Sequence, residues 1–123
     1  MINVLVVLIG GALGALARYQ LDGLIQDHTH GAMPVGTLVI NVSGSLVLGL
    51  LVGLRLQHGM SATVELAAGT GFCGAFTTFS SLMYETTRLA QDGAYRQAAR
   101  TLSLNVVLGG GAAALGLVVT GAL

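Results

Sequence analysis

Four uncharged stretches dominate the chain, at residues 1 to 17, 28 to 54, 66 to 84 and 101 to 123, and every Asp, Glu and Arg falls between them. A hydrocarbon core about 30 Å thick is crossed by about 20 mostly apolar residues at 1.5 Å rise, and each stretch can supply a span of that order. The second stretch opens on His28-Thr29-His30-Gly31-Ala32-Met33-Pro34, which is polar and turn-forming, so its helix is expected to begin near Val35. The pattern predicts helices over residues 2 to 25, 36 to 54, 62 to 90 and 95 to 121, joined by short loops that force antiparallel neighbours. The fold class is therefore an all-α membrane protein, with residues 1 to 123 forming a single four-helix transmembrane domain.

Composition agrees with the pattern. The chain is 54% hydrophobic and 8% charged, against about 25% charged in soluble domains, and its mean hydropathy is +0.82. Met1 to Ala17 has no basic leader and further spans follow, so it is read as retained rather than as a secretory signal. Cys73 is the single cysteine; no internal disulfide is possible, and a small buried residue is the expected role. Small residues recur at four-residue spacing, Gly10 and Gly14 in the first helix and Ser45, Gly49 and Gly53 in the second. Lipid supplies no hydrophobic drive between spans, so such residues are expected at close backbone crossings. Arg55 stands alone at one membrane side, whereas Arg88, Arg96 and Arg100 share the other with Arg18 close to it, a bias that favours outside termini.

The third stretch carries the unusual chemistry. Gly69-Thr70-Gly71-Phe72-Cys73-Gly74-Ala75-Phe76-Thr77-Thr78-Phe79-Ser80-Ser81 concentrates glycines and hydroxyls at mid-membrane depth. An interrupted helix is tolerated in lipid only where the freed backbone groups line a cavity or meet protein or an ion, and a break is expected here, near residues 71 to 79. Gly69-Thr70-Gly71-Phe72-Cys73-Gly74 also spells the glycine pattern of dinucleotide sites, but no strand precedes it and no room for a nucleotide domain exists. Asn41, inside the second span, offers two donors and an acceptor, either to tie a neighbouring helix or to meet a passing anion. Arg18 ends the first span with Asp22 one turn on; the two either pair at i,i+4 or leave Arg18 to make an electropositive vestibule. Glu65 and Glu85 flank the third span about 30 Å apart along a helix, too far to act as an acid and base pair. His28 and His30 lack a third ligand for a metal. No constellation supports enzymatic activity, and no nucleic-acid partner is expected.

Taken in order, Gly10-Gly11-Ala12-Leu13-Gly14-Ala15-Leu16-Ala17-Arg18-Tyr19, Gly36-Thr37-Leu38-Val39-Ile40-Asn41 and Gly71-Phe72-Cys73-Gly74-Ala75-Phe76-Thr77-Thr78-Phe79-Ser80 resemble the Fluc (CrcB) fluoride channels, and the resemblance spans the chain. It implies a multi-pass protein of the prokaryotic inner membrane that exports fluoride passively and so relieves fluoride toxicity. It further implies an antiparallel, dual-topology dimer with two narrow pores. A central sodium ion would be held by backbone carbonyls of the broken third helices, which map onto Gly74 and Thr77. By the same resemblance Asn41, Phe79 and Ser80 line the pore, with Thr78 and Phe76 beside them, and Arg18 sits at the vestibule.

The chain departs from the family pattern after Ser80, where Ser81-Leu82 replaces the usual Thr-Phe, removing a second pore phenylalanine. Phe76, one turn before Phe79, is a candidate substitute. In the fourth helix Gly109 and Ala113 stand at positions aligned with polar pore residues, leaving Thr101, Ser103 and Asn105 as its polar groups. One alternative is a heterodimer in which a sister subunit inserts oppositely and supplies the missing groups. A multidrug-type exporter needs an intramembrane carboxylate, and none lies in the four uncharged stretches. A structural membrane subunit would leave the hydroxyl-rich third stretch unexplained.

Overall fold

The computed structural model describes residues 1–31 and 33–123, and these are helical with no strand among them. In chain order the elements are α1 (Ile2–His28), α2 (Val35–His58), α3 (Ala62–Glu65), a π-helical segment (Leu66–Cys73), α4 (Gly74–Phe76), α5 (Phe79–Gln91) and α6 (Tyr95–Ala122). α1, α2 and α6 are long and apolar enough to cross a membrane. Ala32, in the turn expected before Val35, lies outside the described residues.

Two helices outrun their expected ends. α1 continues past residue 25 because local side chains close its last turn: Thr29 Oγ1 donates to the Ile25 carbonyl at 2.7 Å and His28 Nδ1 lies 2.8 Å from the Leu24 carbonyl. α2 continues past residue 54 to His58 and stops at Gly59, whose φ of 67° suits glycine and whose N–H returns to the Leu54 carbonyl. Arg55 ends the apolar run but not the hydrogen-bond ladder, and its charge near the helix C-terminus is favourable.

Packing follows the small residues. Gly10 and Gly14 are the buried positions of α1, and a Cβ at either would strike backbone, at the Ala67 carbonyl and the Phe72 carbonyl respectively. From the other side, a Cβ on Gly71 would come within 2.8 Å of the Val7 carbonyl. α1 therefore docks on the π-helical segment main chain to main chain, as lipid-embedded helices must to gain dispersion contacts. α2 and α6 meet in the same manner, Gly49 against the Ala113 carbonyl, Gly53 against Thr120, and Gly116 within 2.6 Å of the Leu50 nitrogen if given a Cβ. His58 Nε2 then ties the ends of these two helices by donating to the Thr120 carbonyl at 2.9 Å.

The stretch expected as a helix over residues 62 to 90 with a break near 71 to 79 is divided inside that range, at its C-terminal end. The helical path stops after Phe76, passes through Thr77 (φ −74°, ψ 158°) and Thr78 (φ −147°, ψ 119°) in extended conformation, and resumes at Phe79. The glycines Gly69 and Gly71 do not interrupt it; they lie in the π-helical segment, facing α1 and α2. The threonines open the path, because Thr78 makes its backbone bonds sideways, to α2.

Candidate functional site

Thr78 caps the resumed helix: its Oγ1 accepts from the Ser81 N–H at 3.2 Å, as an N-cap hydroxyl does. Its backbone is paired by Asn41. The Thr78 N–H donates to Asn41 Oδ1 at 2.8 Å and Asn41 Nδ2 donates back to the Thr78 carbonyl at 3.0 Å. One primary amide thus satisfies both main-chain groups of the extended residue, which in a low-dielectric interior would otherwise each carry a desolvation cost of about 1–3 kcal/mol. The second N–H of Asn41 donates to Asn105 Oδ1 at 2.9 Å, and Asn105 Nδ2 donates to the Thr101 carbonyl one turn earlier on α6, also at 2.9 Å.

These groups face a groove of about 280 Å³ lined by Asn41, Ser45, Thr77, Thr78, Phe79 and Asn105, with Leu48, Leu82 and Val106 as its apolar wall. No carboxylate, Arg or His is among the lining residues. Phe79 is 72% exposed and offers its ring to the groove. Ser80 follows on the surface of α5, its Oγ 3.4 Å from Thr78 Oγ1. Leu82 is buried and fills the wall where the related pattern has phenylalanine.

Not every expected site residue reaches the groove. Phe76 is 8% exposed and stacks on Phe72 with centroids 5.7 Å apart, its ring against Gly44. It is a core residue in this chain and does not stand in for the absent second phenylalanine. Arg18 does not pair with Asp22, whose Oδ2 accepts from Gln26 instead. Its Nη1 reaches the Thr77 carbonyl at 3.4 Å, so the guanidinium lies beside the interruption, with Thr77 between it and the groove.

The Gly74 and Thr77 carbonyls have both lost their helical donors. The Thr78 N–H that would bond Gly74 goes to Asn41, and the Ser81 N–H that would bond Thr77 goes to Thr78 Oγ1. Neutral oxygens so released suit a hard monovalent cation, although the Arg18 contact already partly meets Thr77. His28 Nδ1 is engaged with the Leu24 carbonyl.

Two polar groove residues, Asn105 and Ser45, are not among the site residues the sequence predicts. Asn105 is 5% exposed, and the signal for it is its place on the buried stripe Ala98, Thr101, Asn105, Gly109, Gly116 and Thr120 of α6. An amide on a stripe of small residues in a membrane helix demands a partner, and the only amide inside α2's apolar run is Asn41. Ser45 sits one turn beyond Asn41 and faces Gly109, where an added Cβ would be 3.5 Å from its hydroxyl.

The model of the family described as CrcB-like protein, Camphor Resistance (CrcB), matches residues 5–117. The chain is 48% identical over 114 residues to fluoride-specific ion channel FluC 1 of Leifsonia xyli subsp. xyli (strain CTCB07), covering 93% of this chain and 83% of the relative. It is 46% identical to fluoride-specific ion channel FluC 1 of Nocardia farcinica (strain IFM 10152), covering 90% and 75%. With fluoride-specific ion channel FluC 1 of Streptomyces avermitilis the identity is 44%, covering 94% and 93%.

Proposed function

Since the chain belongs to the CrcB-like protein family, we propose that it is a fluoride-specific ion channel of the bacterial membrane, and not an enzyme. The observation that carries this reading is the groove at the interrupted segment: neutral hydroxyls, amides and one aromatic ring, with no carboxylate to repel an anion. Relatives named as fluoride-specific ion channels at 44–48% identity support the choice of ion.

Fluoride is small and holds its water tightly, so a pore must replace that water with donors in a passage too narrow for larger anions. Ser45 contributes a hydroxyl there and Phe79 the positive edge of its ring, while the Thr78 hydroxyl is engaged with Ser81 and Ser80 lies on the α5 surface outside the groove lining. Asn41 shapes this path by holding Thr78 open, and Arg18 supplies positive potential beside it. Flow is passive, down the electrochemical gradient of fluoride, and export along that gradient lowers cytoplasmic fluoride.

In the same reading the segment from residue 62 to 91 makes the fourth crossing of the inner membrane, as a third helix broken at Thr77–Thr78. One copy offers only an open groove, and α1 and α6 leave long apolar faces uncovered. Two copies packed antiparallel close the groove into pores. The Gly74 and Thr77 carbonyls of both copies would then hold a sodium ion, which neutralises oxygens turned toward one another in a dry interface.

The test is direct. The purified chain, expressed alone and reconstituted in liposomes, should release fluoride to an ion-selective electrode while retaining chloride. Equal release of the two ions would overturn the assignment.

A further inference from the structure

We infer that Asn105 is a positioning residue of the anion path, acting through Asn41 to hold the interruption at Thr78 in register; this rests on the channel reading above. The Thr101 carbonyl takes the Asn105 amide N–H at 2.9 Å, which leaves Asn105 only its carbonyl oxygen to show Asn41. That oxygen accepts the second N–H of Asn41 at 2.9 Å. The first N–H and the oxygen of Asn41 are committed to Thr78 at 3.0 and 2.8 Å. Polarity is thereby fixed along Thr101, Asn105, Asn41 and Thr78, and each amide can take only one orientation.

The arrangement has a functional corollary. Both donors of Asn41 are spent inside the protein, so its amide reaches an anion only by giving up an existing bond. Removing the Asn105 oxygen would leave one N–H unpaired at the groove and free the amide to rotate away from Thr78. The extended backbone would then lose the partner that keeps it out of a helical path. Asn105 also connects α6 to the interruption, so the wall carrying Gly109 is held against the wall carrying Phe79.

Efflux from liposomes should be compared for the unmodified chain, Asn105→Leu, Asn105→Asp, Asn41→Ala and the Asn41→Ala/Asn105→Leu double variant, all checked for matching elution in detergent. Asn105→Leu is expected to lose fluoride efflux roughly tenfold or more. Asn105→Asp reproduces both bonds when protonated, the O–H to Thr101 and the carbonyl to Asn41, and loses the first when ionised. A carboxyl titrates near ~3.9 in water and higher when buried. Arg18 is the charged group at the interruption, beyond Thr77; the α2, α5 and α6 residues lining the groove are uncharged. Efflux by Asn105→Asp, relative to the unmodified chain, should therefore rise from about pH 8 to about pH 5.5. The double variant should be no worse than Asn41→Ala.

Near-normal efflux by Asn105→Leu, equal impairment of Asn105→Asp at both pH values, or multiplicative losses in the double variant would overturn the inference. If Asn105→Leu fails to fold, the pH comparison within Asn105→Asp decides alone. Failure of the unmodified chain to pass fluoride would instead overturn the channel reading.

Discussion

Asn41 and Thr78 exchange two hydrogen bonds, amide oxygen to main-chain N–H at 2.8 Å and amide nitrogen to main-chain carbonyl at 3.0 Å, so a side chain of α2 substitutes for the missing turn between α4 and α5. The pairing mimics one rung of a β-ladder inside a helical protein. It stabilises an extended residue where lipid would otherwise demand continuous helix.

Asn41→Asp tests that rung. The carboxylate still accepts from the Thr78 N–H but turns lone pairs toward the Thr78 and Asn105 oxygens, and it adds negative charge beside an anion path. Fluoride efflux measured by electrode should fall about 100-fold or more, since two buried acceptors each lose a partner at about 1–3 kcal/mol.

The two phenylalanines of the motif should separate cleanly. Phe79→Ala removes an exposed ring from the groove and is expected to reduce fluoride efflux while leaving the detergent melting temperature near its original value. Phe76→Ala empties a buried site against Phe72 and should cost about 3–5 kcal/mol of stability, seen as a large drop in the same melting measurement.

Arg18→Gln keeps a donor near the Thr77 carbonyl but removes the charge. Fluoride efflux should fall several-fold at low ionic strength, with the deficit shrinking as salt is raised, because screening already weakens the lost potential. A deficit independent of salt would assign Arg18 to structure instead.

Gly14→Val should dislodge α1. The new side chain meets the Phe72 carbonyl, a backbone atom that cannot rotate aside, and overpacking of this kind costs about 1–3 kcal/mol. Thermal scanning in detergent reads it out. By contrast, Glu65→Gln breaks the Arg55 ion pair, 3.2 Å and partly exposed, and is expected to change the same midpoint little, as surface pairs contribute about 0–1 kcal/mol.

Much of this was legible in the residues themselves. The apolar stretches locate α1, α2 and α6, because hydrocarbon thickness dictates length, and the spaced glycines mark the crossings where backbones touch. The hydroxyl-rich stretch marks the unusual segment and brackets the break, but not the residues at which it opens: glycine tolerates an interruption, whereas what makes one at Thr77 and Thr78 is a sideways partner for the main chain, and that partner is on another helix. Asn105 is not legible as a site residue for the same reason, since the pairing of two amides 64 positions apart leaves no local periodicity. Arg18 and Asp22 are neighbours by helical spacing alone; the competing carbonyl of Thr77 becomes visible only in three dimensions.

The way α1 is attached makes it a convenient place for reporters. Its grip on the π-helical segment comes from Gly10 and Gly14, while Leu5, Leu8 and Leu16 point outward and touch nothing essential to that grip. Cys73, the one native thiol, is 2% exposed. A cysteine introduced at Leu24, 59% exposed beyond the charged end of that span, would accordingly be the sole exposed thiol for a maleimide or spin label, giving a ruler for how two copies are arranged without first stripping the protein of its own sulfur.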